Sequence, residues 1–177
     1  MKTTVDKISF EEALPRLVNI DIFSDFSAKD EEDVNMFKAV YERFTALTYD
    51  EGDEIVVEGE NGNEFYILTS GTVQIFRKTQ FGDEIAIADL DDSFYVFFGE
   101  AALVDEDQRS ATVRASTKCK LLSLTGTDFF DLCKTYPKLG FYVYRRITKR
   151  MQQFIKRANK DIAILYAALF REIEGTA

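Results

Sequence analysis

The sequence predicts a mainly β fold with flanking α-helices, on three observations. Between residues 45 and 124, short runs rich in Val, Ile, Phe and Tyr succeed one another, separated by Gly, Asp and Asn. Helix-start signals with apolar residues at three- and four-residue spacing precede that block, and a long uninterrupted helical pattern follows it. Short strands at such even spacing suggest a double-sheet, jelly-roll-like β-roll, with N-terminal helices and a long C-terminal helix. With 177 residues, 46% of them hydrophobic, and no Pro-, Gly- or Ser-rich linker, the chain can bury one substantial core. A single domain is therefore expected: a helical segment over 1–44, a roll over 45–126 and C-terminal helices over 127–177.

Taken in order, Ser9 and Glu12 have capping-box spacing and start a short helix containing Pro15. Ser27 is read as the cap of a second helix that buries Val34, Phe37, Val40, Tyr41 and Phe44. Strands are placed near 45–49, 54–58, 64–69, 72–78, 84–90, 94–97, 111–115 and 119–124. Asn-Gly and Ser-Gly steps between them mark hairpins, because glycine accepts positive φ at little cost. Thr127 is read as the cap of a helix stopped by Pro137, and the long helix runs from about Lys138 to Phe170. Along it Ile147, Met151, Phe154, Ala158, Ile162, Leu165 and Leu169 recur every three or four residues with one stutter, the pattern of a helix that pairs with its twin. The competing reading is that this seam covers the chain's own roll.

The stretch Phe98-Gly99-Glu100-Ala101-Ala102-Leu103, followed after a short acidic loop by Arg109-Ser110-Ala111-Thr112-Val113, carries the chemistry. Gly99 allows close backbone approach, and a helical turn opening there aims N–H groups at negative charge. Glu100 can accept from a sugar hydroxyl, and Arg109 offers a planar fork suited to two phosphate oxygens. One motif thus suits an anion joined to a diol. The two halves, with the eight residues from Ala101 to Gln108 that separate Glu100 from Arg109, resemble the phosphate-binding cassette, over 98–113, of the cyclic nucleotide-binding domain family, of catabolite activator and kinase regulatory subunit type. The glycine turns from Glu51 to Gly71 are similar to that family as well.

The resemblance implies that Glu100 accepts from the ribose 2′-hydroxyl, that Arg109 pairs with the cyclic phosphate, and that N–H groups of Ala102 and Ala111 complete the anion nest, with Gly99 and Ala101 in the same turn. It implies that Ser110 adds its hydroxyl to the phosphate or to a guanine edge, and that Ile87 and Leu90 occupy base-contacting positions, although both also read as plain core. Two departures stand out. The approach to the cassette, Asp91-Asp92-Ser93-Phe94-Tyr95-Val96-Phe97, is about two residues longer than the family's and lacks its glycine. The helix positions at which the family places hydroxyls against the base fall on Phe154 and Ile155, leaving an aromatic lid from Phe154 or a contact from Arg157 to replace them. The implied ligand is cAMP or cGMP.

Composition narrows the alternatives. A formal charge of −9 opposes a nucleic-acid surface, and the absence of histidine excludes Ser-His-Asp arrangements and histidine-ligated zinc. Cys119 and Cys133 have neither metal-ligand nor disulfide-framework spacing and read as buried thiols; no metal or cofactor is expected. No apolar run approaches membrane-spanning length and the N-terminus shows no signal region, so a cytoplasmic protein without membrane contact is expected. One segment departs from the acidic balance: Arg145, Arg146, Lys149, Arg150, Lys156, Arg157 and Lys160 lie on the long helix without an intervening acid. It reads as a solvated face or as a docking surface for an acidic effector protein. With no helix-turn-helix after the long helix, the expectation is a stand-alone, non-enzymatic sensor acting through a homodimer or partner interface. A scaffold or regulatory subunit with a vestigial pocket, or one that binds another ligand, is the second reading. An enzyme is the third, and Asp105, Glu106 and Asp107 are the only acidic cluster it has near the pocket, better read as a solvated loop.

Overall fold

The computed structural model describes residues 2–105 and 107–175. Strand β1 (Thr3–Thr4) precedes helix α1 (Phe10–Asn19), a 3-10 turn at Asp21–Phe23 and helix α2 (Glu31–Arg43). The roll follows as β2 (Thr45–Tyr49), β3 (Glu54–Val56), β4 (Asn61–Gly62), β5 (Glu64–Ser70), β6 (Thr72–Lys78), β7 (Glu84–Asp91), β8 (Phe97–Phe98), β9 (Asp107–Gln108), β10 (Thr112–Ala115) and β11 (Cys119–Thr125). Helices α3 (Gly126–Thr135) and α4 (Pro137–Gly175) close the described chain. Two antiparallel sheets, ordered β1-β2-β11-β5-β8 and β3-β10-β6-β7, are joined by a β4-β9 ribbon, which gives the jelly-roll arrangement predicted.

The sheets work because β5 and β11 are buried on both faces. Phe65 and Ile67 of β5, with Leu122 and Leu124 of β11, join the cluster under the helices, together with Phe37, Phe129, Leu139 and Val143. The alternate residues Tyr66, Leu68, Cys119 and Leu121 face between the sheets, with Tyr49, Phe98 and Val113. Side chains alternate across a strand, so these two strands divide their residues between the two clusters. That is why they read as continuous apolar runs rather than as alternating ones.

Several local readings need correction. The capping box at Ser9 and Glu12 is present, but α2 starts at Asp30, whose carboxylate accepts from the N–H groups of Glu32 and Asp33. Ser27 instead donates its N–H to Asp33, whose other oxygen holds Lys138 of α4 at 2.7 Å. An acid immediately before the helix outcompetes a more distant serine, since a cap must lie next to the first turn. Likewise Thr125, not Thr127, caps α3, accepting from the N–H of Asp128 at 3.0 Å. The strand expected over 94–97 is a 3-10 turn at Asp92–Phe94, then Tyr95 at φ 49°, then β8. Tyr95 takes the left-handed conformation that favours glycine. Strand β1 has no sequence signature of its own and exists through its pairing with β2. Cys119 is buried, whereas Cys133 is only half-buried.

Helix α4 is fastened by charge as well as by Leu139, Val143 and Ile147. Arg146 reaches Asp25 at 2.6 Å and Asp21 at 3.7 Å, and Arg145 lies 3.7 Å from Asp25. The hydrogen bond from Arg146 holds the Asp25 carboxyl below the usual carboxylate range, against the opposing effect of burial. Asp128 is lowered in the same way by Thr125 and Arg43. A carboxyl whose pKa is lower in the folded state stabilises that state above its unfolded pKa, about 4, and ceases to as pH falls through its folded value. Melting temperature is therefore expected to fall on acidification below about pH 4, and Asp25→Asn to lower it at neutral pH while flattening the acid limb; a variant with an unaltered acid limb contradicts this account.

Candidate functional site

The cassette is built around Arg109. Its backbone N–H donates to the Glu60 carbonyl and its own carbonyl accepts from Gly59, both at 2.9 Å, so the residue is held in the β3–β4 turn rather than in a free loop. The guanidinium then runs back along β4. Its Nη2 donates to the Glu64 carbonyl at 2.8 Å, and the group lies against two glycines. A Cβ on Gly62 would meet Arg109 Nε at 2.2 Å, and one on Gly99 would meet Nη1 at 2.9 Å and the Glu64 carbonyl at 2.7 Å. Gly99 also has φ +76°, where a side chain is strained. Both glycines thus serve the approach of an arginine from the same chain.

Glu100, Ala101, Ala102 and Leu103 form the 3-10 turn that follows Gly99. The Ala102 N–H, assigned by resemblance to an anion nest, is engaged here by the Gly99 carbonyl at 3.1 Å. The turn rests on α3: Gly126 passes so close that an added Cβ would lie 2.1 Å from the Ala102 carbonyl oxygen. Leu103 is buried in the helix-side cluster with Phe129, Val143 and Ile147. The turn thus packs against α3. Glu100 stays 31% exposed, with its Oε1 3.5 Å from Arg150 Nη2 on α4.

The structure brings together Gly99, Glu100, Ala101, Ala102 and Arg109. Ser110 is exposed next to Arg109 and its carbonyl accepts from Arg77, while Ala111 leads into β10 half-buried. Leu90 packs on the inter-sheet cluster at its edge, opposite Val73. Ile87 is 51% exposed at a bulge in β7, where the register passes from Ala88 to Ala86. Phe154, 63% exposed, and Arg157 lie farther along α4, on a stretch where Met151, Ile155, Ile162, Leu165 and Leu169 are exposed too. Closer to the cassette, Arg150 of α4 reaches Glu100. Sequence reasoning missed Arg150, together with Gly62 and Glu64. Gly62 and Glu64 stood inside the recognised glycine turns, and Arg150 inside the basic helix segment, but nothing local to either stretch said what they would meet.

Chemically, the arrangement offers one fixed guanidinium against Gly99, at the start of the turn that carries Glu100. Nearby, Tyr66 donates to Glu64 at 2.5 Å and stacks on Phe98. Burial, with Glu64, pushes the Tyr66 hydroxyl well above its ordinary pKa, and burial takes Tyr49 up to about 12, so neither is poised to accept a proton near neutrality. Among the described residues, no group of His, Cys, Asp or Glu is placed to hold a metal ion. Glu106, in the acidic cluster of the enzyme reading, lies outside them. No described helix is long and apolar enough to cross a membrane.

Comparison with known proteins bears on the family and the fold. The model of a family described as the cyclic nucleotide-binding domain matches residues 46–136, from β2 to the end of α3. The cyclic AMP receptor protein of Thermus thermophilus is 29% identical over 122 residues, 69% of this chain and 54% of that protein. Human potassium/sodium hyperpolarization-activated cyclic nucleotide-gated channel 2 is 30% identical over 107 residues, 60% of this chain and 11% of the channel. The solved catabolite activator protein of Thermus thermophilus aligns with a TM-score of 0.68 at 25% identity, covering 82% of this chain and 62% of that one. The chain spans about half the length of the receptor protein it matches.

Proposed function

The chain belongs to the cyclic nucleotide-binding domain family, and from that premise we propose that it binds a 3′,5′-cyclic purine nucleotide, cAMP or cGMP, as a non-enzymatic cytoplasmic sensor. The observation that carries the reading is the Arg109 guanidinium held between Gly62 and Gly99, the glycine that precedes Glu100. Arg109 meets the cyclic phosphate and Glu100 the ribose 2′-hydroxyl, while Leu90, Ile87 and the residues of α4 remain the candidates for the base. Binding is relayed from Leu103 and Gly126 to α3 and α4, and so to a homodimer or an effector protein. A ligand changes that interface only in so far as it binds one arrangement better than the other.

Calorimetric titration with cAMP, cGMP and cyclic di-GMP side by side tests the assignment. Saturable heat with one of the two mononucleotides supports it, and no heat with either leaves the scaffold reading, which the left-handed Tyr95 and the lengthened approach to the cassette favour.

Gly62 gives a sharper test. Its added methyl would meet the flexible end of an arginine rather than backbone, so Gly62→Ala is expected to displace the guanidinium while leaving melting temperature nearly unchanged. Nucleotide affinity should drop about 10-fold, as for the loss of one charge-assisted hydrogen bond. Equal affinity in the variant would show that this pose of Arg109 is not the binding pose.

A further inference from the structure

Helix α4 carries a second apolar stripe beside the seam that suits a twin. An α-helix turns every 3.6 residues, so Ile155, Tyr166 and Phe170 share a flank, one step around the helix from Met151, Ile162 and Leu169 of the seam. Their side chains are 55%, 60% and 61% exposed. A two-stranded pairing needs only a narrow seam and leaves such a flank in solvent, whereas an apolar face this wide belongs to a helix with more than one neighbour. The outer border of the flank is basic. Lys156 and Lys160 stand there one turn apart, both exposed, and among the described residues neither they nor Arg157 form an ion pair; the last pair along the helix joins Arg150 to Glu100. From Arg145 to Lys160 the segment holds no acid, in a chain whose formal charge is −9.

We propose that this flank of α4 docks an amphipathic helix of a partner protein, one that carries acidic residues along the edge of its own apolar stripe. The seam stays with the twin. The proposal rests on the reading of α4 as the element that reaches an effector, and it supplies that effector's chemistry. The basic border selects the occupant: further copies of α4 would set the same lysines against one another, and like charges across an interface are unfavourable, whereas Glu or Asp on a partner helix meets them with the opposite sign. Apolar anchors at helical spacing supply most of the affinity in a contact of this kind. The exposed ion pairs contribute little to it and act mainly on the choice of partner.

The test titrates the full chain, without nucleotide, with three synthetic helical peptides that share one leucine stripe and are flanked by Glu, by Gln or by Lys. The Glu-flanked peptide is expected to bind about 3- to 10-fold tighter than the Gln-flanked one, as two exposed ion pairs allow, and the Lys-flanked peptide to bind weakest. Lys156→Ala combined with Lys160→Ala should erase that preference, and high salt should reduce it. Tyr166→Ser combined with Phe170→Ser should weaken all three peptides about 10-fold while leaving sedimentation of the protein unchanged, because these side chains lie off the seam. Equal binding of the three peptides overturns the proposal, as does binding that Ile162→Glu abolishes and the flank variant leaves intact. A parent that sediments as a tetramer, and as a dimer once Tyr166 and Phe170 are replaced, shows that further copies fill the flank and overturns it too. So does binding to phosphatidylserine vesicles that excess Glu-flanked peptide does not displace. The charge preference in a parent that binds no cyclic nucleotide supports the docking surface and removes only the sensor reading.

Discussion

Replacing Arg109 with alanine is expected to weaken binding of the cyclic mononucleotide about 10- to 100-fold. A hydrogen bond to a charged group contributes about 1.5–3 kcal/mol, and each 1.4 kcal/mol is tenfold in affinity. The same substitution removes the donor that reaches the Glu64 carbonyl, so a small loss of stability accompanies it. Arg109→Lys separates the two effects: it keeps the charge and loses the two-pronged geometry, and affinity should fall between parent and alanine. Glu100→Gln should hurt less than Glu100→Ala, because the amide oxygen still accepts from a ribose hydroxyl. Calorimetry at constant salt, with thermal melts alongside, reads all four proteins. Parent-like affinity in Arg109→Ala would refute the assignment of the phosphate site.

Charge on the exposed seam of α4 is expected to convert a dimer to monomers. Ile147, at the start of the seam, is buried in its own chain at 4% exposure, so the reading in which the seam covers the chain's own roll holds for that residue. Met151, Phe154, Ile162, Leu165 and Leu169 are between 50% and 68% exposed, and a second copy of the helix would cover them. Fully burying a large apolar side chain stabilises by about 1.5–3 kcal/mol, and two copies of this half-exposed seam together are comparable with the roughly 4–15 kcal/mol that association costs. An acid introduced there is desolvated in both chains, so Ile162→Glu or Leu165→Glu should raise the dimer dissociation constant about a thousandfold. Sedimentation at micromolar concentration reads the result. A parent protein that is already monomeric at that concentration disproves the dimer.

Much of the fold was legible because its signals are local. The capping box at Ser9 and Glu12 is contained in one turn, and β2 and β6 occupy the predicted residues. The errors share one physical origin. Ser27, Thr127 and the strand over 94–97 were reasonable residues near a boundary, and the boundary was moved by a neighbour with better geometry: Asp30, Thr125, and the turn that ends at Tyr95. Burial was less legible than element type. Ile87 has the side chain of a core residue and stands at a bulge facing out, because one extra residue in β7 shifts which side chains point inward.

The sequence by itself determined that the chain forms a roll between helices, and it put Gly99, Glu100 and Arg109 at the spacing of the family's cassette, since a motif with fixed spacing needs no knowledge of distant residues. Only the tertiary structure decided what those groups touch. Arg109 is held by Gly62 and by the Glu64 carbonyl, 45 residues away, and Glu100 meets Arg150 from another element. Such pairings arise when sheets and helices close on one another, and the partners carry no mark of it in their own stretches of sequence: a glycine there reads as a turn, and an arginine on a basic helix as a solvated charge. Closure of the β4–β9 ribbon and docking of α4 turn both into parts of the site.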